Sequence, residues 1–344
     1  MTSKHSHRKD EHVSLAEKFY QADTDSFDQV RFVNQSLPNM AINEITLNAT
    51  LGTLHLTTPF YFEAISGGSE RTKQLNARLA KIAEQTNLAM AVGSQSVALS
   101  DPSLVETFRV VRQLNPNGIV IANIGANHSV KDAVAAVRMI DANALEIHVN
   151  VAQELIMPEG DRTFAFVDRI GEIVSQLAVP VIVKEVGFGM SQKTIQQLIN
   201  LGVQYINLSG RGGTNFAKIE NFRRPQKEMP YLQNWGLTTI ESLLESRPFQ
   251  KQATFIASGG VKSPLDVAKC LALGSSAVGV AGFFLNQLIK HDDDEIIETI
   301  HQWQYGLKAI MLMLGCQNIT ALQSQKLILS PELMTFIHQR QITY

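Results

Sequence analysis

The chain has 344 residues, 44% of them apolar and 18% charged, with a formal net charge of −2. That is enough length and apolar content for one large α/β domain with additions, and it argues against disorder. The absence of a basic excess speaks against a nucleic-acid partner or a charged membrane surface. No apolar run reaches the roughly 18 residues of a membrane span.

The opening segment, Met1 to Asp10, is polar and lacks the apolar stretch of a signal peptide. Residues 1–57 read as an N-terminal extension with a short helix and a hairpin around Asn48–Gly52. Short β-rich runs then alternate with amphipathic segments. The expected strands are Tyr61–Ile65, Leu88–Val92, Gly118–Ala122, Ala144–His148, Val181–Glu185, Tyr205–Leu208, Thr254–Ala257 and Ala277–Val280. Helical patterns fall at Glu70–Gln85, Pro102–Leu114, Val130–Asp141, Phe164–Ala178, Ser191–Leu201, Thr239–Ser246 and Pro264–Leu273. Such alternation implies parallel pairing through right-handed crossovers. Eight units fit a (β/α)8 TIM barrel over 58–290 better than a doubly wound sheet. The connection from Gly210 to Trp235 shows no element of its own and reads as a lid.

Residues 291–344 read as a C-terminal helical extension. The acidic run Asp292-Asp293-Asp294-Glu295 opens a long helix through Trp303, Leu307 and Met311 and complements its dipole. Apolar residues in these last helices suggest subunit contacts. Cys270 and Cys316 fit neither a metal site nor a disulfide framework, and both sit in apolar helical patterns. Buried thiols in a reducing, cytoplasmic protein are expected.

Barrel enzymes place their chemistry at the C-terminal strand ends, so the residues after each run are the ones to read. They are Ser66-Gly67-Gly68-Ser69, Gly93-Ser94-Gln95, Asn123-Ile124-Gly125, His148-Val149-Asn150 with Gln153-Glu154, Lys184-Glu185, Ser209-Gly210-Arg211-Gly212-Gly213-Thr214, Ser258-Gly259-Gly260 and Ala281-Gly282. The last two loops precede helices, where backbone N–H groups bind phosphate. An unpartnered buried Lys184 is costly, which favours a ligand beside it. Taken singly, His148 reads as a structural histidine, Arg8-Lys9 as a solvated pair, and Glu159-Gly160-Asp161-Arg162 as a turn and helix cap with a local ion pair.

Arg8-Lys9-Asp10-Glu11-His12, the serine-glycine loops, the His148–Glu154 cluster and Ser209-Gly210 with Gly212-Gly213-Thr214 together resemble the type 2 isopentenyl-diphosphate isomerases, which are FMN-dependent barrel enzymes. The resemblance runs from about Arg8 through the eighth barrel unit. It implies isomerisation of isopentenyl to dimethylallyl diphosphate on reduced FMN with Mg²⁺, with NADPH as reductant and a homo-oligomer, a tetramer or octamer. It places Ala64, Ile65 and Ser66 on one face of the flavin, with Ser94, Asn123 and Lys184 hydrogen-bonding it. Ser209, Thr214, Gly259, Gly260, Ala281 and Gly282 would hold the ribityl chain and phosphate. Arg8 and Lys9 would fold over the substrate diphosphate, and His12, His148, Asn150 and Gln153 would bind or line the substrate site, with Gln153 and His148 as the candidate catalytic groups and Glu154 as the metal ligand. Two positions depart from the family. Ser96 stands where Arg is common, and Phe216 where Trp is. An FMN-dependent hydroxy-acid oxidoreductase is the competing enzyme, but no histidine follows strands five to eight before His291. A non-enzymatic flavin- or phosphate-binding scaffold would give the N-terminal Arg-Lys pair and Glu154 no role.

Overall fold

A computed structural model describes residues 4–20, 26–65 and 67–344. Eight parallel strands close into a barrel: β1 (Phe60–Phe62), β2 (Met90–Ala91), β3 (Val120–Gly125), β4 (Ala144–Val149), β5 (Val181–Glu185), β6 (Tyr205–Asn207), β7 (Thr254–Ser258) and β8 (Ala277–Val280). The alternation of apolar runs and amphipathic segments therefore specifies the barrel. Several loops end on a hydroxyl that caps the next helix. Ser69 accepts from the Thr72 amide before Glu70–Thr86, Ser129 from Asp132 before Val130–Met139, and Thr238 from Glu241 before Thr239–Ser246. Each such cap is worth about 1 kcal/mol.

Two apolar layers hold the barrel. One lies between strands and surrounding helices, where Phe60, Phe62, Phe284 and Trp303 pack ring against ring. The other fills the lower interior with Tyr61, Ala91, Ile121, Ala144, Ile182 and Ile256. The hairpin Ala49–Leu51/Leu54–Leu56 adds Leu51, Leu54 and Leu56 to that inner layer and plugs the N-terminal end. The C-terminal end is thereby left as the open one. Asp292 caps the long helix Asp293–Met313 in a reciprocal box with Glu295. A short antiparallel pairing of Val30–Phe32 with Leu327–Leu329 ties the two chain extensions together.

Three expectations need correction. The Gly210–Trp235 connection carries the helix Phe216–Arg223 and a turn of 3-10 helix at Pro230–Leu232. The helix buries Ala217 and Ile219 but also Glu220 and Asn221, so its inner face has no apolar stripe to read. Among the described residues Arg162 makes no ion pair. Its guanidinium donates to the carbonyls of Glu154, Met157 and Gly160 and closes the end of the helix Val151–Ile156, while Glu159 turns to Arg223. Cys316 lies beyond the long helix rather than within one; like Cys270 it is a buried free thiol.

Candidate active site

A cleft of about 750 Å³ opens at the C-terminal end of the barrel. Every expected site residue among the described ones lines it; Ser66 lies outside the described residues. The cleft has two unlike ends and a polar floor.

One end is backbone. Ser209 closes β6 at φ 36°, and Gly212, Gly259 and Gly260 take φ values of 130°, 100° and 78°. A Cβ on Gly259 would fall 2.0 Å from the Gly210 carbonyl oxygen, and one on Gly213 2.7 Å from the Gly260 amide nitrogen. Only glycine permits this close crossing of the loops after β6 and β7. Beside it the helix Gly282–Lys290 begins at Ala281 without a side-chain cap, and Arg211 presents a buried, unpartnered Nε. Uncapped helix amides, a glycine cradle and an unsatisfied guanidinium fit a phosphate monoester.

The other end is built from side chains. Arg8, Lys9 and His12 belong to the helix Lys4–Lys18, which lies across the opening. Asp10 bonds Ser69 and Ser14 accepts from Arg71, anchoring that helix to the start of Glu70–Thr86. Lys9 is pushed down to about 8, by burial first and then by neighbouring Arg8. Arg8 has a 3.9 Å approach to the half-exposed Glu159, a long Nη1 contact to the Met157 sulfur and a buried Nε without a partner. An exposed pair at that distance contributes little, so both cations are available to an anion.

Beneath them sits a hub that the sequence did not reveal. Glu220 is fully buried, accepts from Gln153 Nε2 at 2.9 Å and from Arg223 Nη1 at 2.7 Å, and lies 3.0 Å from His12 Nε2. The His12 contact is close but does not meet hydrogen-bond geometry. Burial pushes the Glu220 carboxyl up, but His12, Gln153 and Arg223 hold it below its ordinary range. Arg223 also reaches Glu11 and Glu159, and is held well above its ordinary value despite partial burial. Glu154, on the same short helix as Gln153, accepts from Asn150 Nδ2 at 2.8 Å and from the Asp161 amide at 2.7 Å. Among the described residues no cluster of three or more metal-type side chains converges. One carboxylate completed by substrate phosphates suits Mg²⁺.

The floor is a layer of buried polar groups. His148 Nδ1 meets Asn123 Oδ1 at 2.9 Å, and Asn123 Nδ2 donates to Glu146 at 3.0 Å. Burial, then Lys184, Lys9 and His128, push His148 down to about 3, so it is a neutral imidazole. Lys184, also buried, donates to the Glu185 carbonyl at 3.2 Å. Where the family pattern has Arg, Ser96 bonds Ser94 at 2.9 Å and His128 Nε2 at 2.7 Å, so His128 is a further polar residue on this wall.

Residues 132–329 match the family described as FMN-dependent dehydrogenase. The chain is 53% identical to the isopentenyl-diphosphate delta-isomerase of Latilactobacillus sakei, over 98% of this chain and 97% of that one. It is 48% identical to the protein of the same name from Staphylococcus saprophyticus, over 98% of each. Among solved structures, a mutant flavocytochrome b2 with benzoylformate matches with a TM-score of 0.67 at 18% identity, over 92% of this chain and 82% of that one. A mandelate oxidase mutant with a monooxide FMN adduct matches at 0.64 and 15%, over 93% and 92%. At those identities the structural likeness speaks for the fold alone.

Proposed function

The chain belongs to the FMN-dependent isopentenyl-diphosphate delta-isomerases, and from that premise we propose that it interconverts isopentenyl and dimethylallyl diphosphate in the cleft, with reduced FMN and Mg²⁺. The observation that carries the reading is the pairing of two anion sites in one cavity, a glycine-amide cradle at one end and the Arg8–Lys9 lid at the other. A flavin phosphate and a substrate diphosphate need such a pair.

Reduced FMN, when bound, supplies the group that gives and takes the protons of the allylic shift. The protein's own residues bind, orient and exclude water. Amides of Gly259, Gly260 and Gly282 would take the flavin phosphate, with Ser209 and Thr214 along the ribityl chain. Ala64 and Ile65 would face the ring, and Ser94, Asn123 and Lys184 would bond its polar edge. Arg8, Lys9 and His12 would cover the diphosphate, and Glu154 would carry the Mg²⁺ bound to it. Asn150 and neutral His148 would line the substrate. Gln153 is the candidate assistant at the reacting carbons. Glu220 positions it by holding its amide.

The buried free thiols fit a reducing cytoplasm, with NADPH as the reductant. Exposed Tyr305, Met313, Ile328 and Met334 offer apolar surface for subunit contacts, and the tetramer or octamer is what the family resemblance implies. An anaerobic assay with pre-reduced FMN and Mg²⁺ tests the reaction by proton–deuterium exchange into the substrate. Isomer formation without net flavin turnover is expected. Stoichiometric flavin oxidation without isomer would move the assignment to an oxidoreductase.

A further inference from the structure

Two carboxylates lie buried under the cleft floor, and neither has a part in the reaction described above. Glu63 follows β1 and Glu146 is central in β4; they are 3% and 0% exposed. Tyr61 bridges them, its hydroxyl 3.0 Å from Glu63 Oε2 and 3.4 Å from Glu146 Oε1. Space for the Glu63 carboxylate exists because residue 279 is glycine; a Cβ there would lie 2.3 Å from Glu63 Oε2.

Counting hydrogens distinguishes the two acids. Glu63 is surrounded by donors: the Ala64 amide at 2.7 Å, Asn207 Nδ2 at 2.6 Å and the Tyr61 hydroxyl. Asn207 is oriented by Ser258, which donates to its Oδ1 at 2.7 Å, so its NH₂ must face Glu63. Glu146 has Asn123 Nδ2 to itself and otherwise only the longer, 3.4 Å approach of the same Tyr61 hydroxyl. The single Tyr61 hydrogen goes to the nearer acid, which leaves Glu146 Oε1 facing an oxygen lone pair. A carboxylate there would be repelled, whereas a carboxylic acid has a hydrogen to give.

We propose that Glu63 and Glu146 form a one-proton pair, Glu63 ionised and Glu146 neutral, which fixes the orientation of Asn123 and, through it, of His148. Both are positioning residues for the flavin-facing floor. Like carboxylates in one buried site cannot both ionise. Burial and then Glu63 push the Glu146 carboxyl well above its ordinary range, against the opposing pull of Lys184 and Asn123. Tyr61 is likewise driven up by burial and by both acids, and keeps its hydrogen. With Glu146 neutral, Asn123 presents its NH₂ downward and its carbonyl to His148. His148 then carries its proton on Nδ1 and offers Nε2 to the cleft as an acceptor.

The inference rests on the cleft being a flavin site, and the experiment separates the two ideas. Glu146→Gln copies the neutral acid, with an oxygen for Asn123 and an NH₂ for the Tyr61–Glu63 side. Glu63→Gln removes the charge and turns an NH₂ toward three donors. In apoenzyme at pH 7, the wild-type minus Glu146→Gln difference infrared spectrum should show one carboxylic-acid C=O band, because buried Glu185, itself pushed up to about 8, is common to both proteins and cancels. With FMN bound, Glu146→Gln should leave the flavin midpoint potential in place. Glu63→Gln should favour the reduced, anionic flavin over the oxidised one by about tenfold, a rise of about 30 mV for the two-electron couple. An infrared spectrum without the band, or a Glu146→Gln potential that rises as far as that of Glu63→Gln, overturns the pair. The infrared comparison decides the proton even if Glu63→Gln does not fold. Wild-type apoenzyme that fails to bind FMN would sink the flavin site and leave the proton assignment standing.

Discussion

The two ends of the cleft offer an anion different kinds of donor. The cradle after β6, β7 and β8 uses backbone amides fixed by glycine conformations, and its geometry is set once the barrel closes. The lid end uses side chains from three segments far apart in sequence: Arg8, Lys9 and His12; Gln153 and Glu154; Glu220 and Arg223. These are joined by ion pairs such as Arg223–Glu11 and Arg223–Glu220. A backbone site is rigid and tolerates no added atom. A side-chain site can be assembled, titrated and dismantled. The difference suits a resident cofactor at one end and a substrate that must leave at the other.

Breaking the cradle should have the largest effect. Gly260→Ala puts a Cβ 2.8 Å from the Gly212 carbonyl carbon and oxygen, at a φ of 78°. The purified protein should contain almost no FMN and show no isomerase activity, read from flavin absorbance and turnover. Full flavin content would show that the cradle yields, and would erase the contrast with the lid. Glu220→Gln attacks the lid end instead. Flavin content should stay normal while kcat falls by about 10²-fold, the scale of misplacing a positioned group by about 1 Å. Glu220→Gln with wild-type kcat at saturating substrate would remove Glu220 and Gln153 from the reaction.

The same contrast governs what could be read in advance. Each barrel strand is a short apolar run ended by small or polar residues, and each glycine of the cradle is visible as a letter. Strands, hairpin and the glycines of the cradle were therefore legible, whereas the hairpin's role as a plug was not. The hub was not. Glu220 sits in a helix without an apolar stripe, and its partners His12 and Gln153 are brought to it only by the closed barrel and the N-terminal helix. Glu63 and Glu146 did leave a signal: each is an acid beside or within an apolar strand. Reading those runs as buried strands and stopping there passed over the cost of burying a carboxyl, which demands a proton or partners.

The smallest of the expected effects sharpens the contrast most, because it concerns a charge that only the lid end could titrate. Lys9 is held down to about 8 by burial and by Arg8, so in the free protein it is an ammonium below that pH and neutral above it. Diphosphate binding should weaken as pH rises through about 8, seen as a rise in KM with flavin content unchanged. Folding stability should move the other way. The folded value lies below the unfolded one, so the unfolded chain holds the proton more tightly. The penalty of burying the cation is full below about 8 and fades towards the ordinary 10.5. Lys9→Met should remove both trends, raising KM by about 10- to 100-fold, the equivalent of one charge-assisted contact, and leaving a substrate-free protein more stable near neutral pH. A Lys9→Met protein whose KM keeps the wild-type pH profile would assign that titration to another group and leave the lid as fixed in charge as the cradle.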